Sequence, residues 1–154
     1  MEIKKVDYQK NKEETLQGLE AYFTSKLSDL DESPSTDSKE ENSMMRPSST
    51  YSYILEKRGI TIGRIFGEID YFNSTIKING LIINQDARGT GAGTLLMEAV
   101  EQRGKKEGCH LCFVNTTLSS APQFYEKQGY KCLEKIKDYP VKNNTYFYYY
   151  KRLF

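Results

Sequence analysis

The residues of this 154-residue chain best able to do chemistry, by type and spacing, are Arg88-Gly89-Thr90-Gly91-Ala92-Gly93. A short apolar segment, Leu81-Ile82-Ile83, precedes them, and Leu95-Leu96-Met97-Glu98-Ala99-Val100 follows. That order reads as strand, glycine loop, helix. Such a loop turns backbone N–H groups outward at a helix N-terminus, where the positive end of the helix dipole sits. Anionic oxygens bind there, and Arg88 adds a full charge. The chemistry implied is the holding of a phosphate-bearing ligand.

Several glycine-loop patterns compete. A nucleotide-triphosphate loop needs a lysine directly after its last glycine, and Gly93 is followed by Thr94. A dinucleotide fingerprint, G-x-G-x-x-G, accepts Gly89 and Gly91 but meets Thr94 at its third position. The next apolar strand, Leu111 to Val114, ends at Asn115 and not at the acidic residue that pattern requires. The pattern Arg/Gln-x-x-Gly-x-Gly/Ala is met in full by Arg88, Gly91 and Gly93. A helix start with chance glycines is the plain alternative, so support must come from elsewhere in the chain.

The elements that would position this loop can be read along the sequence. Residues 2–7 suggest a first strand. Asn11 is a candidate helix cap with Glu14 at the reciprocal capping-box position, and Leu16, Leu19, Phe23, Leu27 and Leu30 recur at helical spacing. Residues 31–50 are polar, Ser-rich and aperiodic, and read as a mobile loop within a single domain spanning 1–154. A meander follows: strands at 51–55 and 60–68 about a turn at Lys57-Arg58-Gly59, a turn at Tyr71-Phe72-Asn73-Ser74, then a strand carrying Ile76, Ile78, Gly80 and Ile82 into the loop. The helix from Ala92 to about Glu107 should stop at Gly108, and Cys109–Val114 reads as a buried parallel strand. Ser120 would cap a short helix with Gln123 closing the box, ending at Gly129. A last hairpin joins about Tyr130–Ile136 to Thr145–Arg152. The fold class expected is α/β, a mixed and mostly antiparallel sheet with a strand-helix-strand crossover around the glycine loop.

A second motif now joins the first. Ala121-Pro122-Gln123-Phe124-Tyr125-Glu126-Lys127-Gln128-Gly129-Tyr130 follows the pattern A-x-x-F-Y-x-x-x-G-F/Y. The two motifs together, in this order and spacing, resemble the GNAT superfamily of N-acetyltransferases. Lys137-Asp138-Tyr139-Pro140 is similar to a bacterial subgroup that reads Asp-Tyr-Pro before its last strand. The resemblance implies a GNAT acyl-CoA N-acyltransferase fold and acetyl-CoA as acyl donor. It implies that the amides of Arg88, Gly89, Thr90, Gly91, Ala92 and Gly93 hold the pyrophosphate. The main chain of Leu81, Ile82 and Ile83 would pair with the pantetheine arm at a bulge, with the Ile83 N–H near the thioester oxygen. Tyr125 would lie near the sulfur and protonate the departing thiolate.

The general base is less defined. Many members of that family carry a carboxylate in the strand before the loop, where this chain has Asn79. Glu68 and Asp70, two apart on the preceding strand, are the candidates for it, although each reads first as a solvated strand carboxylate. Many members also carry an asparagine where this chain has Leu118, and Asn115 stands nearby. The absence of a matched base keeps a second function class open: an acyl-CoA-binding sensor or scaffold of the same fold.

Composition narrows the rest. Lys and Arg total 22 against 21 for Asp and Glu, so the net charge of +1 argues against bulk attraction to nucleic acid or anionic membrane. No secretory signal or long apolar run is seen, giving a soluble, cytoplasmic expectation. The 3 cysteines, Cys109, Cys112 and Cys132, are an odd number and read as packed thiols, not a disulfide framework or, with His110, a metal site. Tyr146-Phe147-Tyr148-Tyr149-Tyr150 would put alternate rings on two faces of a late strand. One face belongs to the core. The other faces either an acceptor channel or a homodimer contact. The partners expected are acetyl-CoA and an amine acceptor.

Overall fold

A computed structural model describes residues 4–28, 48–117 and 121–154. The chain divides into two compact units, Met1–Pro47 and Ser48–Phe154. In the first, helix α1 runs Tyr8–Ser28. Its cap is Asp7, not Asn11: the Asp7 carboxylate accepts the Lys10 N–H at 2.9 Å, and the Asp7 carbonyl accepts the Asn11 N–H at 3.1 Å. Nothing between Tyr8 and Asn11 breaks a helix, so the earlier Asx cap captures the first turn and Asn11 and Glu14 fall inside it. Residues 4–7 form no strand. Leu16 is half-buried and Leu19 exposed. The side chains of Phe23 and Leu27, all of Leu30 and the 31–47 part of the expected loop lie outside the described residues, as do Leu118 and Ser120.

The second unit is built on a six-stranded sheet in the order β1-β2-β3-β4-β6-β5. Its strands are β1 Ser49–Lys57, β2 Ile60–Asp70, β3 Thr75–Ile83, β4 Leu111–Thr116, β5 Lys131–Lys137 and β6 Thr145–Arg152. All neighbours are antiparallel except β3 and β4, which run parallel. Helix α2, Ala92–Lys106, makes the crossover between them, and α3, Ala121–Lys127, links β4 to β5. The mixed sheet and its crossover match the sequence expectation.

Local chemistry explains the elements. Arg58 and Gly59 both have positive φ (52° and 76°), as a two-residue hairpin turn with right-handed twist requires. α2 and α3 end alike. Gly108 N–H reaches Lys105 O at 3.1 Å and Cys109 N–H reaches Gly104 O at 2.8 Å. At α3, Gly129 N–H reaches Glu126 O and Tyr130 N–H reaches Tyr125 O, both at 3.0 Å. Both are double-bonded C-caps around a left-handed glycine.

α2 buries Ala92, Leu96, Met97, Val100 and Gly104, a stripe at helical spacing. Opposite lie Ile65, Ile69, Ile76 and Ile78, with Val114, Cys112 and Tyr149 completing the core. Full burial of a side chain such as Met97 or Val100 contributes about 1.5–3 kcal/mol. Cys109 and Cys112 are packed thiols, as expected. Cys132 is exposed, because β5 is an edge strand exposed along its whole length. No helix among the described residues is long and apolar enough to cross a membrane.

Candidate active site

The site begins where the parallel pairing of β3 and β4 stops. The two strands are in register from Thr75–Leu111 to Ile78–Val114 and no further. On its other side β3 stays paired to β2, with a bulge: Phe66 stands opposite Gly80 and Gly67 opposite Ile78, which leaves Asn79 as the extra residue. Gly67 is required there, since a Cβ would overlap the Lys77 carbonyl oxygen and the Tyr51 hydroxyl. β3 beyond Ile78 is therefore held rigidly by β2 while its β4-facing edge is free.

Ladder alternation says which groups use that edge. Asn84 N–H bonds Ile62 O at 2.9 Å, so Ile62 and Asn84 form a hydrogen-bonded pair. Arg64 with Ile82 continues that series, and Gly63–Ile83 and Ile65–Leu81 are the pairs between. The main-chain groups of Ile82 thus turn toward β2, and those of Leu81 and Ile83 turn into the cleft. Arg88 Nε donates to the Ile83 carbonyl at 3.2 Å, which fixes the arginine across the strand end.

The glycine loop sits above this edge. Gly89 and Gly91 take positive φ (74° and 86°), and Gly91 is the N-cap of α2. Thr90 Oγ1 donates to Ala87 O at 2.6 Å and closes the loop. The first helical bond is Leu95 N–H to Gly91 O, so the N–H groups of Ala92, Gly93 and Thr94 have no acceptor within the helix. α3 forms the facing wall. Its Phe124 ring lies where a Cβ on Gly93 would meet it at 3.0 Å, and Gln128 Nε2 donates to Thr94 Oγ1 at 2.9 Å.

Together these elements enclose a cavity of about 630 Å³. It is lined by Leu81, Ile82, Ile83, Arg88, Gly89, Gly91, Ala92 and Gly93 from the sequence-derived set, and by Tyr125. Thr90 belongs to the same loop without lining the cavity. The sequence reading missed Ala87, Thr94, Phe124, Lys127 and Gln128, which also line it. Lys127 and Arg88 are the cations among the described lining residues. Phe124, Lys127 and Gln128 lay within the quoted motif, but only the fold shows that Phe124 faces Gly93 and that Gln128 bonds Thr94.

A second cavity, of about 290 Å³, occupies the gap between β3 and β4. Asn79, Asn115, Thr116, Thr117 and Tyr146 give it a polar lining, with Ile78, Gly80, Leu81 and Val114. Leu81 and Tyr125 line both cavities, so the two meet there. Ile83 lines only the first cavity, with Arg88 on its carbonyl.

Tyr125 is 7% exposed and packed against Tyr149, Phe124 and Tyr130 at ring separations of 5.9, 5.2 and 6.1 Å. Burial, with the Cys112 thiol adding to it, pushes its pKa up to about 12. It holds its proton at neutral pH. Among the described residues its hydroxyl has no hydrogen-bond partner.

Glu68 and Asp70 are not brought to either cavity. Glu68 is exposed on β2, opposite Thr50 and Lys77. Asp70 ties the next turn, accepting the Asn73 N–H at 3.1 Å and Asn73 Nδ2 at 2.7 Å.

The sequence profile of the Acetyltransferase (GNAT) family matches residues 13–130. This chain belongs to the GNAT acetyltransferase family. It is 33% identical over 97 residues to a blasticidin-S acetyltransferase of Streptomyces morookaense, covering 62% of this chain and 70% of the relative. Among solved structures, an acetyltransferase from Bacillus cereus superposes with a TM-score of 0.64 at 22% identity, over 99% of this chain and 97% of that one. An aminoglycoside 6′-N-acetyltransferase complexed with coenzyme A gives 0.63 at 14% identity, over 68% and 73%. The GNAT fold is thus shared along with the family's sequence signature.

Proposed function

We propose that this GNAT protein transfers an acetyl group from acetyl-CoA to a primary amine of a small molecule or peptide. The observation that carries the reading is the meeting of the two cavities at Leu81 and Tyr125. The first offers a helix N-terminus, Arg88 and Lys127 for phosphates, and the cleft-facing main-chain groups of Leu81 with the Ile83 N–H for the amides of a pantetheine arm, the Ile83 carbonyl being taken by Arg88. The second leads an acceptor to the same point. A solved protein of this fold holds coenzyme A, and the Streptomyces relative is named for an antibiotic.

In this reading the amine attacks the thioester carbon as the free base. The Leu81 N–H, at the junction, faces the developing oxyanion in place of the Ile83 N–H. As the C–S bond breaks, Tyr125 gives its proton to the thiolate and recovers one from solvent. The proton released by the amine passes to water, since Glu68 and Asp70 lie outside both cavities.

The acceptor cavity has no carboxylate among its described lining residues, and this favours the sensor alternative as the second reading. Release of free thiol from acetyl-CoA across a panel of amines, antibiotics, polyamines and peptide N-termini separates the two. Amine-dependent release supports transfer. Saturable binding with no release from any acceptor sinks transfer and leaves the sensor.

A further inference from the structure

The acceptor side of the site carries a pattern of its own. Resting on the transfer reading above, we infer that the acceptor amine is borne on a planar, uncharged, hydrogen-bonding ring that lies against Tyr146. The first observation is the lining of the gap between β3 and β4. Its polar side chains are Asn79, Asn115, Thr116, Thr117, Tyr125 and Tyr146, all neutral, and no charged side chain lines it among the described residues. A strongly charged acceptor entering such a cleft would lose water without gaining a counter-charge. Amides and hydroxyls pair instead with neutral donors and acceptors.

The second observation is a wall of tyrosines that begins in that cavity. The Tyr146 ring lies 5.0 Å from Tyr139 at 87° and 5.0 Å from Tyr148 at 67°. Rings this close touch edge to face, so no space for a cation remains between them. The cluster is a surface for stacking and not a cage for an ammonium group. Tyr139 is 46% exposed, which carries the wall out to solvent. Asn115 stands opposite Tyr148 in the β4–β6 register, placing an amide beside the wall.

The wall also stands on the correct side. Alternation along β6 puts Tyr146 and Tyr148 on the face opposite Tyr149, and Tyr149 is the residue that packs on Tyr125. The donor-side tyrosine and the tyrosine wall therefore meet the gap from opposite faces of the sheet. A ring stacked on Tyr146 would present its polar edge to the Asn and Thr groups and its amine to the junction at Leu81.

The test is steady-state acetylation of aminomethyluracil, cyclohexylethylamine and spermidine by the full chain. The expected kcat/KM for aminomethyluracil exceeds both others by about tenfold or more. Tyr146→Leu should raise its KM about tenfold while acetyl-CoA affinity stays unchanged, and Tyr146→Phe, which keeps the ring, should restore it. Equal use of the three amines, or a Tyr146→Leu effect common to all three, overturns the inference. Saturation-transfer NMR on the full chain, with and without coenzyme A, reads the same preference without turnover. Preferential contact with the uracil supports it even where no acceptor reacts, and equal or absent contact overturns it. A chain with no affinity for acetyl-CoA defeats the transfer reading separately, because ring binding is still measured.

Discussion

Tyr125 is the residue on which donor and acceptor chemistry converge. Its ring is fixed by Tyr149, Phe124 and Tyr130, and its burial pushes the hydroxyl pKa up to about 12. The phenol is therefore protonated at physiological pH, which leaves it available as a proton donor and not as a base. Tyr125→Phe keeps the packing and removes the donor. Turnover, read by thiol release, should fall about 100-fold while acetyl-CoA affinity changes less than about twofold. Equal turnover in the two proteins would assign Tyr125 to packing alone. The motif made Tyr125 legible in the sequence. Its neighbour Cys112 was not, because that thiol comes from β4 and only the fold brings it near. The carboxylates Glu68 and Asp70 show the reverse limit: strand alternation put them on one face, but nothing local revealed that Asp70 is taken up by Asn73.

At the scale of elements, the site is a strand edge, a loop and two helix ends. Glycines announced most of them. Gly108 and Gly129 mark helix ends, Gly59 a hairpin, and Gly89 and Gly91 the loop, all with positive φ. These were legible because a left-handed residue leaves a sequence signature. Caps that depend on competition were less so: Asp7 displaced Asn11 because it lies earlier in an unbroken helical segment. Bonds between elements, such as Gln128 to Thr94, have no local signature at all. The loop supplies the prediction at this scale. A Cβ at Gly91 meets nothing within 4 Å, so the space beside it is open to a ligand. Gly91→Val should weaken acetyl-CoA binding at least about tenfold. The positive φ adds a strain of about 1–3 kcal/mol, so circular dichroism must show the variant folded. Unchanged affinity in a folded variant would remove the loop from the mechanism.

Across the whole sheet unit, the sequence conveyed the mixed sheet and its crossover through periodicity and connection length. It did not convey that β6 inserts between β4 and β5, nor the register that opens the gap after Ile78. Both are long-range pairings. The same sheet buries several groups that titrate at high pH. Burial pushes Cys112, Tyr125 and Tyr149 up to about 12, and raises Tyr51 and Tyr130 further. Each folded value is above its unfolded one, so the native state binds more protons in that window. The stability they provide is complete below about pH 9 and is lost as pH rises toward about 12. Melting temperature should be level near neutrality and fall steeply over that range. Tyr130→Phe, which removes one titrating group, should flatten the fall. A variant slope equal to that of the parent chain would contradict this assignment.

The central claim is that the cleft between the Leu81–Ile83 edge and the loop at 88–93 receives acetyl-CoA. Isothermal titration of the intact chain with acetyl-CoA tests it most directly. The account predicts saturable one-to-one binding with a micromolar dissociation constant. No saturable heat with millimolar ligand would contradict it.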